Sequence, residues 1–260
     1  MTKLSFARTA MTGLMILLPV LVSAQAKKFT PPRLADGQPN FNGIWEVRGN
    51  VDANLEGKIA GKNIIVDPPD GRIPYKPEAL AIRAKNQQAR ATADPVAKCF
   101  MPGVPRLMYL PFPFQIAQAA QQPVIALLSQ YAHVIRNYNM KGEHLDGLEL
   151  WLGDSRAHWD GDVLTVNVQN FNDQTWFDQA GNFHSGELQI SERYQLTDLN
   201  TIAYQAVITD PKLLTRPFTI RLTLSRHSEK NFQLLEHECY ANKEGPTVTA
   251  GDKPDPEHAK

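Results

Sequence analysis

Cysteine is nearly absent from this chain, with two in 260 residues. That is too few for the disulfide framework of a small secreted scaffold. An excess of one charge is missing too. Lys and Arg number 27 and so do Asp and Glu, which excludes a strongly basic nucleic-acid binder. No stretch beyond residue 26 is apolar over the roughly 20 residues a membrane-spanning helix needs. There is no Gly-x-Ser-x-Gly elbow, no dinucleotide glycine fingerprint and no phosphate loop. Strands and helices do not alternate as in βαβ units, and no segment repeats. What the chain has is 42% apolar residues, enough for one sizeable core and too many for whole-chain disorder. Its 19 prolines and 16 glycines argue against a bundle of long helices.

Residues 1–26 read as a secretory signal. Lys3 and Arg8 give a positive start, Met11 to Val22 is apolar, and Ala24-Gln25-Ala26 is a small-x-small cleavage site. The apolar stretch is about 12 residues, short of a bilayer span, and no Cys follows it for lipid attachment. Removing two basic and no acidic residues leaves 25 basic against 27 acidic side chains, a faintly acidic protein with no attraction to nucleic acid or anionic lipid. The expected location is periplasmic or secreted. An oxidising compartment favours a disulfide between Cys99 and Cys239 over two free buried thiols.

Residues 27–42 read as an extended leader, 43–243 as a single β-rich domain, and 244–260 as a polar tail. Gly43 to Arg48 begins the first strand, and Ile64 to Val66 is a short second one. Pro77 sits where a first helical turn would start, and Glu78 to Thr92 reads as one helix. Cys99 to Phe114 holds Pro102, Pro105, Pro111 and Pro113, which forbids regular helix. Strands follow at Val124–Leu128, Tyr131–Tyr138, Ser155–Trp159, Asp162–Val168, Leu188–Leu196, Ile202–Thr209, Phe218–Arg226 and Phe232–Tyr240. Asp160-Gly161 is the strongest hairpin signal. It predicts pairing of Trp159 with Asp162, His158 with Val163 and Arg156 with Thr165. Many closely spaced strands with one helix predict a mainly β fold: an antiparallel barrel or strongly bent sheet, with a two-sheet sandwich as the alternative.

Gly43-Ile44-Trp45, opening the first strand, resembles the Gly-x-Trp start of lipocalin-type barrels. Asp154 to Val166, Phe171 to Trp176, His184-Ser185 and Glu192-Arg193-Tyr194 look like a family of exported bacterial proteins. Members begin with a Gly-Ile-Trp segment and carry a loop like Cys99 to Arg106. The resemblance covers most of the chain after residue 26. It implies export and a lipocalin-like barrel with insertions, and transfers no catalytic residue.

In a barrel, alternate residues point inward, so a charge on an apolar face is informative. Glu192 shares its face with Leu188, Ile190, Tyr194 and Leu196. Buried there, it would need an Arg, His or Tyr partner and could work as a general acid or base. The bland reading is a structural ion pair. Arg156 and His158 share one hairpin face, either solvated or lining a polar interior. Phe171, Trp176 and Phe183, with His184 beside them, either cover an apolar ligand at the barrel mouth or plug it as core. Glu236-His237-Glu238-Cys239 is poor metal chemistry, because adjacent strand residues point to opposite faces. No metal or other cofactor is expected.

Two functions fit. One is a binding protein that takes a small apolar or amphipathic molecule, lined by Trp45, Trp159, Phe171, Trp176 and Phe183. The other is a cofactor-free lyase, isomerase or hydratase using Glu192 with His184, His158 or Arg156. A third reading is a barrel packed solid. Convergence of Glu192 and His184 in one enclosed pocket would favour the enzyme.

Overall fold

The structure is a computed structural model, and it describes residues 29–239. The expected signal and the polar tail lie outside the described residues. In chain order the elements are β1 (Gly43–Val47), β2 (Lys58–Ile59), β3 (Lys62–Asn63), β4 (Ile65–Asp67), α1 (Pro77–Gln88) and α2 (Arg90–Ala93). There follow β5 (Phe114–Ala117), β6 (Val124–Ser129), β7 (Ile135–Asn139) and β8 (Asp154–Asp160). Last come β9 (Val163–Gln169), β10 (Gln189–Asp198), β11 (Thr201–Thr209) and β12 (Phe218–Arg226).

Nine strands close into a barrel in the order β1-β5-β6-β7-β8-β9-β10-β11-β12, and β12 returns to β1. Closure rules out the two-sheet sandwich and leaves the lipocalin-like barrel. The closing seam pairs Trp45 with Arg226 and Val47 with Leu224. Neighbours run antiparallel except at one place, where β7 meets β8 in parallel through Asn139 and Arg156. β4 extends the same edge of β12, beside Thr219 and Ile220. No helix among the described residues is long and apolar enough to cross a membrane.

Alternation builds the core. Ile190, Glu192, Tyr194 and Leu196 of β10 are buried, as are Ile202, Tyr204, Ala206 and Ile208 of β11 and Phe218, Ile220, Leu222 and Leu224 of β12. Their neighbours on each strand face outward. The first strand shows why it opens on Gly-Ile-Trp. A Cβ on Gly43 would lie 2.0 Å from Nη1 of Arg226. Without one, the Arg226 guanidinium stacks over the fully buried Trp45 ring at 4.1 Å and donates to the Asn42 carbonyl. The seam is thus held by side chains as well as by the ladder.

Several expectations need correction. The β8–β9 turn is Gly161-Asp162, because Asp160 pairs with Val163 and His158 with Thr165. The slip moves the register by two residues, so each side chain keeps its expected face. Residues 232–239 are not a strand: along the C-terminal half of β12, β11 occupies one edge and β1 the other. Tyr131–His133 is a 3-10 turn, and the strand begins only at Ile135. The predicted single helix breaks at Ala89 into α1 and α2. Strand β5 and the β2–β3 hairpin were not anticipated. Leader residue Phe41 is fully buried, its N–H held by Gln118. Within the Pro-rich segment, Val104 to Leu110 are all buried.

Cys99 and Cys239 are joined in a disulfide with a Cα–Cα distance of 5.5 Å. It ties the C-terminal segment to the Pro-rich one. Leu235 N–H donates to Gln130, and the His227 and Phe232 rings stack at 3.9 Å, so the segment lies against the barrel wall.

Candidate functional site

Glu192 projects inward from the middle of β10 and is fully buried. Arg136 reaches it from β7, 2% exposed, and the two form a bidentate ion pair. Tyr194 and Tyr204 donate to Glu192 Oε1 at 2.9 and 2.8 Å. The Tyr138 and Tyr194 hydroxyls are 3.0 Å apart, and Arg136 Nε donates to Ser155 Oγ at 3.1 Å. Met108, from the Pro-rich segment, sets its sulfur 3.5 Å from the Tyr194 hydroxyl. Burial, first of all, pushes Tyr138 up to about 12 and Tyr194 and Tyr204 well above the usual phenol range. The phenols therefore stay protonated as donors. Burial opposes the Arg136 charge, yet Glu192 holds that charge firmly in place. Every member of this network has partners, which is how a buried ion pair is made tolerable.

His184 is elsewhere. It is 2% exposed and packs against the Phe171 and Phe177 rings. Its Nδ1 lies 2.9 Å from the Ser185 carbonyl, which can only accept, so Nδ1 carries the proton and Nε2 accepts from Thr175 Oγ1 at 2.6 Å. Burial lowers its pKa and keeps it neutral. Its hydrogen bonds share no group with those of Glu192. The structure brings Glu192 together with Arg136 and three tyrosines, not with His184 or His158.

The other expected residues divide by face. His158 is exposed on the outer wall. Arg156, also facing outward, is bound to Asp154 at 3.0 Å. Trp45 and Phe171 are core. Trp159 is partly buried against Phe41, their ring centroids 5.6 Å apart. Trp176 and Phe183 face each other in an isolated bridge, and Phe183 stacks on Tyr75. Phe183 packs against the core and Trp176 is half-buried, and none of the five aromatics lines the groove on the outer wall of the barrel.

That groove, of about 730 Å³, lies outside the barrel. Its floor is the outward face of β9 to β12, where Val163, Arg193, Gln195, Ala203, Gln205 and Arg221 point away from the core. Its rim is the β2–β3 hairpin with Ile59, Lys62 and Asn63, together with Arg48. A cavity of this size suits a small molecule. The sequence marks it only as a run of polar residues alternating with the apolar inward set.

A second buried charge cluster was also missed. Arg106 donates to Asp52 at 2.6 Å and to Asp94 at 2.7 Å, and Gln179 donates to Asp52 at 2.6 Å. Its one sequence signal is a lone Arg within the apolar run from Val104 to Leu110. No group of three or more His, Cys, Asp or Glu among the described residues is arranged to hold a metal ion. No protein-family model and no curated protein matches this sequence.

Proposed function

We propose that this is an exported barrel protein, periplasmic or secreted, that binds a small amphipathic molecule in the groove between its outer wall and the β2–β3 hairpin. The observation that carries this reading is the groove itself: about 730 Å³, with Ile59, Val66 and Val163 supplying apolar surface beside polar side chains. The barrel interior supports it by contrast, since Glu192, Arg136 and their tyrosines are locked to one another and buried. The Cys99–Cys239 disulfide supports export, because such bonds persist in oxidising compartments.

Native mass spectrometry of protein purified from its own host tests both halves. The expected polypeptide mass lacks residues 1–26, and a small molecule travels with it. Ala203→Trp, which fills the exposed floor of the groove, should remove that molecule. An intact N-terminus would overturn export. A molecule retained by Ala203→Trp would overturn the groove as its site.

A further inference from the structure

The groove is lined by four cations, Arg48, Lys62, Arg193 and Arg221, and by no carboxylate. Two of the arginines are placed by the ladder. Arg193 on β10 pairs with Gln205 on β11, and Gln205 pairs with Arg221 on β12. The three form one row across the outer wall. With strands spaced by about 4.8 Å, the two arginine Cα atoms lie about 10 Å apart, a span their long side chains can bridge from both sides. Gln205 Oε1 accepts from Arg221 Nε at 2.9 Å, which directs the guanidinium and leaves its terminal nitrogens for another acceptor. Neutralisation from within is slight. Arg193 meets Asp160 at 3.4 Å with both side chains exposed, and such a pair is screened. Arg48, Lys62 and Arg221 have no carboxylate partner among the described residues. The apolar part of the groove lies beside this row, at Ile59, Val66 and Val163.

We infer that the groove selects an anionic amphiphile: a carboxylate-, sulfate- or phosphate-headed molecule with its head on Arg193 and Arg221 and its apolar body under the hairpin. Planar guanidinium forks match such oxyanions, and their charge does not titrate. This inference rests on the groove being the binding site, and the experiment separates the two.

Titration calorimetry at pH 7.5 compares dodecanoate, dodecanol and dodecylammonium on the wild-type chain, on Arg193→Gln/Arg221→Gln and on Ala203→Trp. Circular dichroism confirms that each exposed-face variant is folded. Dodecanoate should bind at least tenfold more tightly than the alcohol, and the ammonium ion more weakly than either. The double arginine variant should abolish that preference, and Ala203→Trp should abolish binding. If the alcohol matches dodecanoate and Ala203→Trp blocks both, the groove stands and the anion inference fails. If dodecanoate binds Ala203→Trp normally, or no probe binds the wild type, the groove reading fails and takes the inference with it.

Discussion

Glu192→Gln strips the charge from the carboxylate that neutralises Arg136 inside the barrel. Both partners are nine-tenths or more buried, Arg136 at 2% and Glu192 at 0% exposure, so solvent cannot take over. The guanidinium would be left charged against neutral Tyr138 and Ser155, with Tyr194 and Tyr204 donating to a weaker acceptor. Breaking one side of such a pair costs about 3–5 kcal/mol. For a domain of this size, each kcal/mol moves the melting temperature by about 2–4 °C. Glu192→Gln should therefore melt roughly 6–20 °C below wild type. Arg136→Met should cost a similar amount, and the double variant far less than the two losses added. Asp67→Asn, which breaks an ion pair to Arg216 whose partners are both about half exposed, is the control and should cost less than about 1 kcal/mol. Calorimetric melts at low and high salt complete the test, because the loss at Glu192 should persist in salt that erases the surface pair. A Glu192→Gln protein within about 1 kcal/mol of wild type, or strictly additive single losses, would refute the argument that the pair is an obligate unit.

Two buried groups set opposing pH trends. Burial depresses the His184 pKa, so below the unfolded value of about 6.5 the unfolded chain takes a proton that the folded one refuses. That term lowers stability as pH falls through this range, and His184→Asn should flatten it in urea midpoints measured from pH 7.5 to 5. Burial raises Asp178 from 3.8 to about 6 despite bonds from Leu55 and Asn182. The folded protein therefore gains a proton first, and this term adds up to about 3 kcal/mol as pH drops from about 6 to 4. Asp178→Asn should remove that rise, and an unchanged slope would count against the assignment. Replacing Cys99 and Cys239 together by Ser opens a 140-residue loop and should cost about 2–5 kcal/mol. Protease should then cut residues 232–239 faster, and equal cleavage rates would show that the bond is not what holds the segment down.

The strand framework was legible because it depends on local alternation. Phe218, Ile220, Leu222 and Leu224 announce their shared face at a spacing of two. The hairpin register was misplaced because a Gly161-Asp162 turn and an Asp160-Gly161 turn have the same local chemistry, and the choice is made by partners far along the chain. The false last strand failed for a related reason: alternation says a segment could pair, not whether an edge is free. Glu192 was legible as a charge on an apolar face. Its partner was harder, although Arg136 stands between Val134 and Tyr138 at the same spacing of two and exposes Ile135 on the opposite face. The groove was illegible. It needs the β2–β3 hairpin folded over strands about 100 or more residues away, and outward polar residues read alike whether water or a cavity covers them.

The seam between β1 and β12 sets the timing of the whole structure. Trp45 pairs with Phe114 on one side, but its partner on the other, Arg226, lies 181 positions later in the chain. A ribosome delivers residues in order, so the ring cannot shut until nearly all of it has emerged. Until then the outer edge of β1, whose other edge holds β5, and the growing edge stay open to the wrong neighbour. Late closure keeps the ring open through most of synthesis, and it predicts slow folding of the kind that high contact order imposes.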